Sequence, residues 1–234
     1  MEPTENPFDI PDESFTEREI MQTNDGSKTL YLPQLKEQYH SRFGAIVESE
    51  HIYIRHGLLD RHLPEASVFE VGFGTGLNAM LSYLAARKNG MKVHYSSVEL
   101  YPLTASEYVR LNHIALLEPA ECDALQNILQ CPWNEEIRIS PFFSLLKIQH
   151  DLLRYEPVSR CDVVYFDAFA PSVQPALWSD RVFRKIYAAM NEGAILATYS
   201  SNTKVQRSLR EAGFHINKLA GPPGKREILQ AIKK

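Results

Sequence analysis

The segment Phe69-Glu-Val-Gly-Phe-Gly-Thr-Gly-Leu-Asn78 puts three glycines, Gly72, Gly74 and Gly76, between an apolar run that reads as a strand and an amphipathic run that reads as a helix. A strand that turns tightly into a helix, with more strand and helix patterns behind it, builds one kind of layer. Parallel neighbours need a crossover, and helices supply it while covering both faces of the sheet. The spacing predicts strands over Ser67 to Val71, Lys92 to Glu99, Ile137 to Ile139, Cys161 to Phe166 and Ala194 to Tyr199. Helices are expected over Leu77 to Lys88, from Pro102 to Leu111, and over Ala120 to Gln130, Phe143 to Leu153, Gln174 to Met190 and Thr203 to Ala212. Phe214 to Leu219 and Glu227 to Ile232, joined by Gly221-Pro-Pro-Gly224, read as a closing antiparallel hairpin. The fold class is therefore α/β, Rossmann-like, with a mostly parallel sheet ending in an antiparallel hairpin.

Ahead of this lies a different pattern. Residues 1–16 are acidic and proline-containing and are expected to be a mobile tail. Residues 17–66 read as an extension packed on the main domain of residues 67–234. Within the extension, Asp25-Gly26 between two β-compatible flanks signals a hairpin with a type I′ turn. Leu35 to Gly44 reads as a helix and His51 to Ile54 as a strand.

A chain of 234 residues suffices for one substantial core. No stretch approaches the roughly 20 apolar residues of a bilayer span, and the acidic start does not resemble a signal peptide. A cytoplasmic protein with no membrane partner is expected. Three cysteines at irregular spacing support neither a disulfide framework nor a zinc site, and the eight scattered histidines do not add one. No metal is expected. Charge is uneven: Arg18 is the single base up to Asp25, whereas the chain after Ser201 is rich in lysine and arginine, which suits either an anionic partner or a solvated face.

Glycines at a strand-to-helix turn let the backbone approach a ligand, with the helix N-terminus facing it. Glu99, at the end of the second strand and 23 residues beyond Gly76, stands where a carboxylate accepts hydrogen bonds from two ribose hydroxyls. The pattern specifies a nucleotide-type ligand and leaves two choices, a nicotinamide dinucleotide or S-adenosylmethionine. Glu70 beside the turn and the closing hairpin favour the second, because an anion suits a sulfonium and an ammonium better than a pyrophosphate. At the end of the fourth parallel strand, Asp167 reaches the carboxyl edge where open α/β sheets bind ligands, followed by Ala168-Phe-Ala-Pro171. It serves either the chemistry or the cap of the next helix.

Six segments together carry a family resemblance: Asn24 to Leu30, Tyr39 to Ala45, Glu48 to Ile54, Phe69 to Asn78, Asp167 to Pro171 and Gly224 to Glu227. On these the chain resembles the methyltransferase component of the MnmC/MnmD family of tRNA 5-methylaminomethyl-2-thiouridine methyltransferases. The resemblance implies transfer of a methyl group from S-adenosylmethionine to the primary amine of 5-aminomethyl-(2-thio)uridine at the tRNA wobble position. It implies Asp167 as the active-site aspartate and Glu70, Gly72, Gly74, Gly76, Asn78 and Glu99 as cofactor-binding positions. Tyr39, Phe169, Lys225 and Arg226 are candidates for substrate binding. Some members add a flavin-dependent domain for which this chain has no room, so no flavin is expected. Many methyltransferases of this fold place an acid after the third strand to hold the adenine amino group, and none occurs between Ile137 and Ser144.

An alkylamine with a pKa of about 10.4 must be neutral to attack, and an ordinary aspartate near about 3.9 is a poor acceptor for its proton. Asp167 is therefore expected to orient the amine and stabilise the charge growing on nitrogen. Three other readings stay open: a methyltransferase for a protein or small-molecule amine, a nicotinamide-dependent oxidoreductase, and a non-catalytic RNA-binding module.

Overall fold

The computed structural model describes residues 15–157 and 160–234. An eight-stranded sheet has the order β10-β11-β9-β8-β4-β5-β7-β6. Its central strands are β4 (Glu65–Val71), β5 (Lys92–Glu99), β7 (Phe143–Gln149), β8 (Cys161–Phe166) and β9 (Met190–Thr198), all parallel. At the edges, β6 (Glu136–Ser140) runs antiparallel to β7, while β10 (His215–Ala220) and β11 (Glu227–Ile232) form the expected hairpin against β9. Strand order reverses between β4 and β8, and a crevice opens there at the carboxyl ends.

Alternation along the strands feeds two cores. Val68, Val163 and Tyr165 face one, with Met80 and Ala86 of α2 (Leu77–Asn89) and Leu125 of α5 (Cys122–Gln130). Phe69, Val71, Val164 and Phe166 face the other, with Phe183 of α6 (Asp180–Ala188) and Leu209 of α7 (Thr203–Glu211). Strands buried on both faces carry near-continuous apolar runs, which is why periodicity misassigns some of them. Phe143 to Leu153 is the plain case: the segment is β7, not a helix. The helix expected over Gln174 to Met190 is also interrupted. A 3-10 turn at Pro175–Trp178 gives way to α6, whose N-cap is Ser179, and β9 already begins at Met190. Between β5 and α5 the chain makes α3 (Ala105–Arg110), opened by a Thr104–Glu107 capping box, and α4 (His113–Leu116).

In the N-terminal part, β1 (Glu19–Gln22), β2 (Lys28–Leu32) and β3 (Glu37–Gln38) form a separate antiparallel sheet. The β1–β2 hairpin falls where Asp25-Gly26 signals it, but its loop is longer than a two-residue type I′ turn. Thr23 N–H donates to Ser27 carbonyl at 2.8 Å, and the Asp25 carboxylate accepts from Thr23 Oγ1 at 2.7 Å and Ser27 N–H at 3.0 Å. Its other oxygen accepts from the Ile46 and Val47 backbone at 3.1 and 3.2 Å, capping α1 (Ala45–Ser49) from a distance. Leu35 to Gly44 is not helical. After β3 it runs as turns, with Tyr39 and His40 drawn inward. His51 to Ile54 is not a strand; α1 continues as a π-helical stretch, Glu50–Leu58. Ile52, Tyr53 and Leu58 from that stretch belong to the first core, and β4 begins at Glu65, not Ser67. Residues 1–14 of the expected mobile tail lie outside the described residues. Phe15, the next residue, is buried and stacked on Tyr101 at 4.6 Å. Among the described residues no helix is long and apolar enough to cross a membrane.

Candidate active site

A cavity of about 420 Å³ opens at the carboxyl ends of β4, β5, β7 and β8. That is the size of a small-molecule site. Gly72, at the end of β4, has φ +91°, and a Cβ there would meet the Asp167 carbonyl oxygen at 2.8 Å. Close packing of the ends of β4 and β8 therefore requires this glycine, and Asp167 N–H donates to Val71 carbonyl at 3.0 Å across the same junction. Gly74 lies against Tyr39. Gly76 packs on Leu129 and Phe73 under the start of α2 and does not line the cavity.

Glu99 sits at the cavity wall. Its Oε2 accepts from Gly74 N–H at 3.1 Å and its Oε1 from Tyr101 N–H at 2.8 Å, so its plane is fixed and each oxygen keeps a lone pair for a ligand. Glu70 is fully buried and does not line the cavity. Its oxygens accept from Ser97 Oγ at 2.7 Å and from Asn78 Nδ2 at 3.0 Å. The same Asn78 nitrogen donates to Asp167 Oδ2 at 2.9 Å, so one amide bridges two carboxyls. Both amide hydrogens are then committed, and Asn78 Oδ1 is a buried acceptor without a partner among the described residues, in a residue that faces the cavity.

Asp167 has a second donor that the sequence did not suggest. Tyr53 Oη donates to Asp167 Oδ1 at 2.6 Å, across 114 residues of chain. Tyr53 comes from the π-helical stretch, whose wide turns are frequent at functional sites. Burial pushes the Asp167 carboxyl up to about 7; the hydrogen bonds from Tyr53 and Asn78 pull it down, and the Glu48 charge adds to the rise. Burial likewise pushes Glu70 up to about 8, against the pull of the Ser97 hydrogen bond.

The cavity roof comes from the N-terminal part. Tyr39 is held by the buried Arg18, whose Nε donates to Tyr39 Oη at 2.9 Å while its Nη1 pairs with Glu107 at 3.0 Å. Phe169 meets Tyr39 edge-on at 5.0 Å, and its carbonyl accepts from Trp178 Nε1 at 2.8 Å. His40, held neutral by burial, lies 3.3 Å from Thr75 Oγ1 and joins the small sheet to the glycine turn. Lys225 also lines the cavity, 3.3 Å from Glu48 and 4.7 Å from the centre of the Tyr199 ring. Arg226 is exposed outside it. With β7 ending at Gln149, the acid that follows the third parallel strand is Asp151. Asp151, two residues past β7, lines the cavity and is fixed by Leu153 N–H at 2.8 Å.

Residues 138–234 match a family of S-adenosyl-L-methionine-dependent methyltransferases. The tRNA 5-methylaminomethyl-2-thiouridine biosynthesis bifunctional protein MnmC of Burkholderia thailandensis is 33% identical over 215 residues, covering 86% of this chain and 33% of that protein. The chain thus spans about a third of the length of the curated relatives it matches. The crystal structure of MNMC2 from Aquifex aeolicus superposes with a TM-score of 0.73 at 27% identity, covering 94% of this chain and 71% of that one. Spermidine synthase from Thermotoga maritima shares the fold, with a TM-score of 0.55 at 11% identity, covering 93% and 69%. With its doubly wound sheet and glycine turn, the chain matches the S-adenosyl-L-methionine-dependent methyltransferase family over residues 138–234 and is similar over most of its length to about a third of MnmC.

Proposed function

We propose that the protein methylates the primary amine of 5-aminomethyl-(2-thio)uridine at the tRNA wobble position, using S-adenosylmethionine. The observation that carries this reading is Asp167, oriented by Tyr53 and Asn78 inside the cavity that also holds the glycine turn and Glu99. The names of the MnmC relatives support the substrate.

In this reading Glu99 receives the ribose hydroxyls and Asp151 the adenine amino group. Asn78 Oδ1, the buried acceptor without a partner among the described residues, receives the cofactor's ammonium. Glu70 acts from behind, by fixing Asn78, and not by touching the cofactor. When bound, S-adenosylmethionine supplies an electrophilic methyl group.

The protein's own task is to bring a neutral amine in line with that methyl, which is largely positional. Asp167 accepts a hydrogen bond from the amine and stabilises the positive charge that grows on nitrogen during attack, in a site where burial strengthens both effects. Burial also improves Asp167 as a proton acceptor. A carboxyl at about 7 lies about three pH units below an alkylammonium, whereas an ordinary aspartate lies about six below it. Tyr39 and Phe169 form the aromatic wall against which the uracil ring stacks.

The test is incubation with methyl-labelled S-adenosylmethionine and tRNA from cells that lack this modification, followed by nucleoside analysis. Label on the aminomethyl nitrogen of the wobble uridine is expected. Label that appears only on protein or small-molecule amines, with none on tRNA, would refute it.

A further inference from the structure

The strand of chain that roofs the cavity has two sides. Tyr39 and His40 turn inward, whereas Arg42 and Phe43 turn out at the rim. Phe43 is 39% exposed, one of four large hydrophobic side chains left so among the described residues. It is nonetheless seated, because its ring occupies the space that a Cβ on Gly224 would need, which joins the rim to the turn of the β10–β11 hairpin. The Arg42 guanidinium lies 5.2 Å from the centre of the ring. Across the turn stands Arg226. Lys225, next to Arg226 in the chain, is paired with Glu48, but neither Arg42 nor Arg226 has an ion pair among the described residues. The rim thus presents a part-exposed aromatic with one uncompensated guanidinium beside its ring and a second exposed on the turn that the ring touches.

Building on the tRNA reading above, we propose that Phe43 and Arg42 form a stacking platform for the base next to the modified uridine, with Arg42 and Arg226 meeting the adjoining phosphates. The geometry of access requires something of this kind. Asp167 lies inside the cavity, so the target base must leave the stack of its loop to reach it, and its neighbour loses a stacking partner. An aromatic ring with a guanidinium beside it replaces that partner for any base, because every base has a π-face. Planar guanidinium groups suit phosphate oxygens.

The test compares the wild type with Phe43→Ala and Phe43→Trp on an anticodon stem-loop RNA carrying 5-aminomethyluridine. Two further RNAs lack the base on its 5′ or its 3′ side. Phe43→Ala is expected to raise KM for the intact RNA by about five- to 150-fold, with kcat and S-adenosylmethionine affinity near the wild-type values and a lower thermal midpoint from the packing lost at Gly224. Phe43→Trp should keep the wild-type KM. On one of the abasic RNAs Phe43→Ala should cost no more than about twofold, since the base it would contact is already gone. A KM unchanged in Phe43→Ala, or an equal loss on all three RNAs, overturns the platform. Wild-type methylation of the RNA with no effect of Phe43→Ala refutes the platform and leaves the reading of function standing. A wild type that binds S-adenosylmethionine yet neither binds nor methylates the RNA refutes both.

Discussion

Affinity for S-adenosylmethionine is expected to rise with pH through the slightly acid range, because binding must displace a proton from the Asp167–Glu70 pair. In the free protein burial holds Asp167 at about 7 and Glu70 at about 8, and the negative charge of each raises the cost of ionising the other. The groups that face the pair are Tyr53, Asn78, Glu48, Lys225, Ser97 and Tyr95, and among these only Lys225 is a cation. A cofactor bearing a sulfonium and an ammonium favours the ionised pair. If it binds the form with Asp167 ionised, that form makes up about a tenth of the protein at pH 6.0 and about three quarters at pH 7.5, so Kd should fall about eightfold over that interval. Above it the cofactor's own α-amino group, near about 7.7–8.0, begins to lose its proton and works in the opposite direction. Titration calorimetry in two buffers of different ionisation enthalpy reads both Kd and the proton released. The slope should flatten in Asp167→Asn. A Kd constant from pH 6.0 to 7.5, with a binding enthalpy independent of buffer, would refute the coupling. Stability gives a second readout with a definite sign. The folded-state pKa of Asp167 lies above the unfolded value of about 3.9, so its contribution to stability is full below that value and is lost as pH rises through about 7. Saturating cofactor should remove that part of the pH dependence.

Two substitutions probe how the site is held. Tyr53→Phe removes a donor from Asp167, which should raise the Asp167 carboxyl further and move the acid limb of the kcat/KM profile to higher pH by about one to two units, as expected for a hydrogen bond to a charged group. An unmoved limb with a uniformly lower rate would show Tyr53 to be a packing residue only. Gly72→Ala forces a side chain into φ +91° and against the Asp167 carbonyl, so a stability loss of about 1–3 kcal/mol should come with weaker cofactor binding. Gly90→Ala is the control: at φ +64° with nothing within 4 Å, it should lower the melting temperature while Kd stays unchanged.

The parallel sheet, the glycine turn and the closing hairpin were legible because each depends on local chemistry. Apolar alternation, glycines at a strand-to-helix junction and a Gly-Pro-Pro-Gly turn constrain the backbone wherever they occur. The placement of Glu99 and Asp167 at the cavity was legible for the same reason, since strand ends in such a sheet point at one crevice. Where both faces of a strand are covered the pattern loses its period, as in β7, and in the π-helical stretch the wider turn departs from the 3.6-residue period while Ile52-Tyr-Ile54 has the composition of a strand. Asp151 follows a strand whose apolar run reads as a helix, and Tyr53 sits in a helical stretch whose residues read as a strand, so neither stands out in the sequence.

What only the tertiary structure decided is which groups share the site. Tyr53 reaches Asp167 across 114 residues, and Arg18 reaches Glu107 across 89. Glu70, which the sequence placed beside the cofactor, stands behind Asn78, because successive residues of β4 face opposite sides of the sheet and Glu70 points into the first core. Sequence pattern fixes what each segment forms by itself; contacts between segments, and the burial that brings an aspartate to about 7, exist only once the chain has closed around them.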